Sequence, residues 1–573
     1  MIGLSAACLL ALVLSGKATN ITVIAVSGDT APAAGLDKVY TQFLNPVINE
    51  AGDVVYSAVV TNASAQQFRS LWMVSSGVQS LIGLQGENAP GTPALYLSFS
   101  DNRPSLNENG TVLFDAKLTG PGVISFENEK GLWIGQPGAV QKLIRSGDPA
   151  PTIPDVTISS VGLSLGQAHR LSPLGRTAFR TTLDGASVSI ASDTALFNGS
   201  LGTLQLLARE GEPAPGTATG VVYDSLLSST PYLNDAGMLA FQGEVRGFDF
   251  GVRDENDEII WAGQLDTLGI AIRESDLATT NGTALAQLKP PVINSAGTLA
   301  FSSGLYSGSD ETDTAIWLTN PLRLVAREGE VAPGTGGLTF GDFTTSDPFL
   351  NDRGHVVFNA DLEGANVISS TDSAIYAGNA NQLTLIAREG DQAPGFQDGV
   401  VFRELRFRTQ LLNSAGQVVL YAEVIGTGIN NNNNGAIWIA DIGGPTRLLV
   451  RDGDSIEVAP GDVRTIREIR AFSGGGDGDG TTSSFNNAGR LVFVVVFRDF
   501  SWGLVSVQAA PLGTLSLELT GDDLVLSWEG DNFTLETAPT LNSPWTLAPD
   551  QSTPQILLPP ATDLEQYFRL RSP

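Results

Sequence analysis

Chemistry has few places to start in this chain. Of its 573 residues only His169 and His355 carry an imidazole, and Cys8 is the single thiol. A three-histidine metal site is therefore ruled out, and a Ser-His-acid triad must use one of those two histidines. His355 stands where comparable segments have Met238, Thr298 or Gln417, so it reads as an ordinary strand residue. No Gly-x-Ser-x-Gly elbow, His-Glu-x-x-His pair or phosphate loop occurs, and Ser-x-Asp-x-Gly-x-x-Trp is absent. Acids are plentiful: 61 Asp and Glu against 32 Lys and Arg give a net charge of −29. Such a surface repels phosphate backbones and anionic membranes, which sets nucleic acid aside as a partner. Divalent cations suit it better. The oxygen-rich loops at Asp254 and Asp257 and at Asp477 and Asp479 are calcium candidates, but they lack the spacing and closing Glu of a calcium loop. Surface loops without a cofactor are the expectation.

Another acidic pattern recurs. Arg209-Glu210, Arg327-Glu328, Arg388-Glu389 and Arg451-Asp452 occupy equivalent places, with Arg273-Glu274 and Arg145 as variants. Adjacent strand residues face opposite sides, so each is expected to pair across strands or between neighbouring units. A feature present in nearly every unit is architectural, because an active site is asymmetric. If these side chains met on a common axis they would line a charged channel.

The elements that position these residues repeat about every 60 residues. Asn-x-x-Gly followed by alternating apolar residues occurs at Asn49–Gly52, Asn107–Gly110, Asn234–Gly237, Asn294–Gly297, Asn351–Gly354, Asn413–Gly416 and Asn486–Gly489. A degenerate copy has Ser172 and Gly175. Asn and Gly tolerate the positive φ of a tight reversal, so each copy reads as a turn leading into a strand. A short strand with a large ring follows, as in Ala315-Ile316-Trp317-Leu318. A ring at one fixed point of each unit fills the wedge between neighbouring sheets. The third strand ends in an acidic turn such as Glu210-Gly211-Glu212-Pro213-Ala214-Pro215-Gly216, where proline stops the ladder. A less regular fourth strand leads to the next Asn-x-x-Gly. Four short strands per unit match a propeller blade.

Ile21–Val26 has the character of the strand that the last unit lacks, since that unit runs out at Trp502–Val507. A closed ring uses such an arrangement to remove two exposed edges. The expected fold is all-β: a propeller of about eight four-stranded blades over residues 21–510, closed by its N-terminal strand. Seven blades, an open β array and paired sandwiches are the alternatives.

At Asn-x-x-Gly, Ala-Phe, Ala-Ile-Trp and Ala-Arg-Glu-Gly-Glu-x-Ala-Pro-Gly the chain resembles a group of bacterial secreted tandem-repeat proteins, named for an Asn-x-x-Gly-x-x-Ala-Phe motif. The resemblance covers roughly residues 21–510 and implies an extracellular or envelope protein, with no activity attached. The sorting signals of that group, Leu-Pro-x-Thr-Gly or a terminal Pro-Glu-Pro segment, are absent. Residues 511–573 instead read as a small β module, similar to C-terminal modules of large secreted proteins from planctomycete- and verrucomicrobia-like bacteria.

The first 20 residues, with an apolar run from Leu4 to Leu14 and a small-x-small site at Gly16-Lys17-Ala18, read as a signal peptide. Cleavage would leave a cysteine-free protein, stabilised by packing alone. No later apolar run is long enough to span a bilayer. The leading functional expectation is a secreted or cell-surface, monomeric, non-enzymatic scaffold that contacts a glycan or protein. The alternative is a carbohydrate-active hydrolase or lyase, with two or three acids converging from non-repeating loops such as Phe248–Glu258 or Asp477–Thr482.

Overall fold

In a computed structural model the described residues are 21–35, 37–99, 103–161, 169–226, 231–247, 251–278, 283–306, 312–343, 346–405, 410–470, 475 and 481–508, together with the strand backbones of a C-terminal unit. Asp477 and Asp479 lie outside the described residues. Contacts divide the chain into two units, the second running from Gln508 to Pro573.

The first unit is a ring of eight antiparallel sheets, ordered along the chain from the axis outward. The fourth blade is representative. Its innermost strand is in two pieces, Val222–Ser225 and Tyr232–Leu233, and both pair with the second strand, Leu239–Arg246. Glu258–Gly263 and Gly269–Arg273 complete it. In four blades Pro104, Pro231, Pro291 or Pro348 stands just before the second piece, and proline cannot donate to a ladder. The ring-bearing third strand carries a register shift at its aromatic, between Ile260 and Trp261, Ile316 and Trp317, Ile375 and Tyr376, and Ile437 and Trp438. A bulge there adds twist to the outer half of the blade.

Closure is as the repeat phase requires. Ile21–Val26 pairs antiparallel with Trp502–Gln508, with Ile21 opposite Val507 and Val26 opposite Gly503. The eighth blade is thus completed by the other end of the chain. One apolar cluster joins Ala25, Val492, Val494 and Leu504 of this blade to Tyr40, Tyr56 and Trp72 of the first. The remaining clusters likewise span neighbouring blades, so the core of the ring lies in the wedges between sheets.

Hydrogen bonds stitch those wedges, and the Asn-x-x-Gly asparagine does most of it. Its Oδ1 accepts from the backbone N–H four residues on, as Asn351 does from His355 at 2.9 Å, while the glycine takes positive φ (76° at Gly354). Its Nδ2 reaches the next blade. Asn49 donates to the Asn107 carbonyl (3.0 Å) and Asn107 to that of Ser172 (3.2 Å). Asn234 donates to Asn294 (2.8 Å), Asn294 to Asn351 (3.1 Å) and Asn351 to Asn413 (2.8 Å). Asn413 donates to Asn486 (3.2 Å), and Asn486 returns to Asn49 (3.1 Å). All of these asparagines are buried. The circle breaks where Ser172 replaces asparagine, and there the Arg170 guanidinium stacks on Tyr232 of the fourth blade, 4.4 Å from the ring centre.

A second stitch uses the aromatic. Trp133, Trp261 and Trp438 donate Nε1 to the carbonyls of Pro90, Pro215 and Pro394, and Tyr376 donates its hydroxyl to Pro333, in each case the turn proline of the preceding blade. Trp317 follows the blade whose turn has lost Ala-Pro-Gly. It donates to Ser303 Oγ in its own blade instead, and Trp72 likewise to Ser70 Oγ.

The C-terminal unit holds two three-stranded sheets. One is built from Leu515–Thr520, Asp523–Trp528 and Gln555–Leu558, the other from Thr546–Leu547, Thr534–Ala538 and Tyr567–Arg571.

Candidate functional site

The repeated arginine and acid do not pair with each other. Four of the arginines turn back on their own blade: Arg209, Arg145 and Arg273 donate Nε to the carbonyls of Ser192, Asn128 and Asn256, and Arg388 donates Nη2 to Thr371. Arg451 bonds Asp454 and lies over Phe396. Arg327 occupies the same strand position, opposite Ala315. The acid bridges blades. Glu210 accepts from Thr194 N in its own blade (3.2 Å) and Leu226 N in the next (3.0 Å). Glu274 does so with Glu258 N and Gln287 N, and Asp452 with Gly435 N and Ile469 N. Glu389 accepts from Leu405 N at 3.1 Å. These acids sit in the wedges between blades rather than on the axis. The axial cavity is lined instead by Glu50, Glu108 and Asp235, each following a turn asparagine or its equivalent, and by Thr481–Ser483. That last segment caps the cavity through Ile48 N to the Ser483 carbonyl, Leu106 N to Thr482 Oγ1 and Ser484 Oγ to the Pro46 carbonyl.

Around the bridging acids further carboxylates gather. The residue four before the blade aromatic is acidic in several blades, as Asp193, Asp257 and Asp372. In the wedge between blades four and five, Asp257 and Glu274 share a side-chain hydrogen bond. Glu258 lies beside them, with one oxygen, Oε2, buried and unpartnered. Burial, and then the Glu274 charge, push Glu258 up to about 7. Burial also raises Glu244, with Asp257 and Asp224 adding to it. The equivalent wedge between blades six and seven opens into a cleft of about 490 Å³ lined by Asp361, Ser369, Asp372, Ser373, Glu389 and Glu404. Burial raises Asp361 and Glu389, and the nearby Asp372 charge adds to both. Burial raises Glu210 and carries Asp452 to about 7, against the pull of the backbone N–H groups that each accepts. A carboxyl poised near neutrality can donate or accept a proton at physiological pH.

Among the calcium candidates, Asp254 is exposed and Asp257 is engaged with Glu274. Among the described residues no group of three or more His, Cys, Asp or Glu stands at metal-holding geometry.

His169 has drawn a triad-like set around itself. Its Nδ1 is 3.3 Å from Ser105 Oγ, and its Nε2 is 3.9 Å from Asp115 Oδ1. The three are 2%, 6% and 3% exposed, and the acid contact is longer than a hydrogen bond. The set joins blades two and three inside the ring, where a substrate carbonyl does not reach Ser105. His355 is half-buried with Nδ1 unpartnered, and burial and then Arg353 lower its pKa.

The sequence matches one protein family, described as "Family of unknown function (DUF7453)", over residues 10–133, 125–269 and 249–511. The chain belongs to that family. The successive DUF7453 matches cover the repeat region, in keeping with a chain built from copies of one unit. No curated protein matches the sequence. Among solved structures, the DUF7453 chain is similar to the beta-propeller domain of the Trilobed protease from Pyrococcus furiosus, at 8% identity and a TM-score of 0.35, covering 72% of this chain and 99% of that one. It is similar to an acylaminoacyl peptidase of Pyrococcus horikoshii, at 8% identity and a TM-score of 0.34, covering 72% of this chain and about half (53%) of that one. The polysaccharide lyase Uly1 is a third, at 8% identity and a TM-score of 0.31, with 84% and 91% covered. None of these likenesses bears on what the DUF7453 chain does.

Two side-chain clusters were missed from sequence. The acid four before the aromatic was in plain view as Asp193, Asp257 and Asp372, at constant distance from Phe197, Trp261 and Tyr376. The set around His169 had a weaker signal: this copy of the repeat departs from the others at His169, Arg170 and Ser172 together.

Proposed function

We propose that this chain is a secreted or cell-surface repeat scaffold that binds an extracellular glycan or protein and does not catalyse a reaction. The observation behind this reading is the recurrence of acidic wedges at equivalent places in several blades, built on Glu210, Glu274, Glu389 and Asp452. A binder uses several like pockets, whereas an enzyme concentrates its chemistry in one. The reading includes secretion through residues 1–20, a monomer and no cofactor. Calcium at Asp254 and Asp257 is its one cofactor alternative. The described residues contain no helix long and apolar enough to cross a membrane.

One observation favours a hydrolase or lyase. Asp257, Glu258 and Glu274 converge in a single wedge, two of them at the end of the loop Phe248–Glu258, and Glu258 has the neutral-range pKa of a general acid. A glycan array with residues 21–573, run beside a polysaccharide-cleavage screen, separates the two readings. Binding without cleavage supports the scaffold. Cleavage abolished by Glu258→Gln replaces it with the enzyme.

A further inference from the structure

Like the wedge that holds Glu258, the wedge between blades six and seven contains a buried polar atom with no partner, and here it borders an open cleft. In blades three and five the residue three before the blade aromatic is threonine, and its hydroxyl is hydrogen-bonded. Thr314 Oγ1 donates to Glu328 (2.9 Å) and Thr194 Oγ1 to Asp193 (3.3 Å). In blade six this position is Ser373, which is only 6% exposed and lines the cleft. Its hydroxyl is buried and has no hydrogen-bond partner. A buried hydroxyl without a partner is costly, so a group that completes it gains affinity.

The neighbours define the group. Asp361, Asp372 and Glu389 line the same cleft, and Glu389 Oε1 is held by Leu405 N. Arg388, next in the chain to Glu389, has its Nη2 on the Thr371 carbonyl. No lysine or arginine among the described residues forms an ion pair with Asp361, Asp372 or Glu389. The described lining of the cleft is rich in carboxylates and holds no basic side chain, which favours a cation as occupant. A cleft of about 490 Å³ is far larger than a bare metal ion, and no metal-holding group of acids exists among the described residues. An apolar contact is also present, since Leu405 lines the cleft. Carboxylates with an acceptor hydroxyl and an apolar flank suit a planar or tetrahedral nitrogen cation on a hydrocarbon stem.

We propose that the cleft between the sixth and seventh blades binds a guanidinium or ammonium group, with Asp361 and Asp372 supplying charge and Ser373 Oγ accepting a hydrogen bond from it. This deepens the binding reading above and rests on it. The cation has two sources, a free amine or amidine and an arginine or lysine side chain of a basic protein segment.

The test is titration calorimetry on residues 21–573 with three probes: arginine amide, a labelled peptide of alternating arginine and alanine, and calcium chloride. Saturable binding of the peptide alone assigns a protein side chain, and binding of arginine amide as well assigns a free cation; both support the proposal. Asp372→Asn should weaken the affinity at least tenfold and Ser373→Val several-fold, with melting temperatures unchanged. Asp398→Asn removes the same charge from an exposed site and should leave affinity within twofold. If Asp372→Asn does not fold, Asp361→Asn with Ser373→Val decides. Equal loss in Asp398→Asn and the cleft variants would reduce the effect to general attraction by an acidic protein and overturn the proposal. Absence of binding at millimolar probe, or one-site calcium binding that displaces the peptide, would also overturn it. Glycan binding or cleavage is read separately, so failure of this site is distinguishable from failure of the scaffold reading.

Discussion

Asn351 offers the sharpest test of how the ring holds together. Its side chain does two jobs: Oδ1 accepts from Arg353 N (3.0 Å) and His355 N (2.9 Å) to shape the turn, and Nδ2 donates to the Asn413 carbonyl of the next blade (2.8 Å). Asn351→Asp keeps the acceptor for the turn but sets a carboxylate against that buried carbonyl. If the inter-blade bond matters, the loss is one net hydrogen bond plus a buried unsatisfied carbonyl, about 2–4 kcal/mol. Near the midpoint a ring of this length has an unfolding entropy on the order of 1 kcal/mol per degree, so the melting temperature should fall by about 2–4 °C. Asn62 is the control. It shapes an exposed turn through the same kind of bonds, to Ser64 N and Gln66 N, without an inter-blade partner. Asn62→Asp should therefore change the melting temperature by less than about 1 °C, as surface substitutions do. Scanning calorimetry at matched pH and salt reads both. Equal, small effects of Asn351→Asp and Asn62→Asp would show that the asparagine serves only its own turn, and the stitched-ring argument would fail.

Further outcomes follow from the same geometry. Deleting Ile21–Val26 should expose the edge of Trp502–Gln508 and produce dimers or aggregates in light scattering, since an unpaired edge recruits another strand. Trp438→Phe leaves the Pro394 carbonyl without its donor and should cost about 1–3 kcal/mol beyond the lost ring area, whereas Trp317→Phe should cost less because the Ser303 hydroxyl keeps its own O–H to donate and is not left wholly without a bond, as an acceptor-only carbonyl is. Glu258 and Asp452 have folded pKa values raised to about 7, above the unfolded carboxylate value, so their protonated forms favour the folded state. That contribution is complete below about pH 4 and is lost as pH rises towards about 7. Melting curves of Glu258→Gln should show a shallower fall over that window than the parent, and an unchanged slope would contradict the buried-carboxyl assignment.

The repeat, its phase and the closing strand were legible because each rests on local rules. Asn-x-x-Gly demands a positive φ at glycine, Ala-Pro-Gly stops a ladder, and alternating apolar residues at Leu239–Val245 bury one or both faces of a strand. Counting these signals yields eight units and shows that Ile21–Val26 supplies a strand the last unit lacks. The partner of each polar atom was not legible. Asn351 Nδ2, Trp438 Nε1 and Glu389 Oε1 all bond atoms of an adjoining blade, and such contacts depend on how two sheets are rotated against each other. For the same reason the sequence placed arginine and glutamate on opposite faces without naming a partner for either, and only the structure shows Arg209 bonding Ser192 in its own blade and Glu210 reaching Leu226 in the next. The cleft at Ser373 and the set around His169 likewise exist only between blades. Sequence by itself determined which strands form and in what order, because backbone sterics and burial act within a few residues. Tertiary structure alone decided which acids share a wedge, because that distance is set by the angle between sheets that no local pattern encodes.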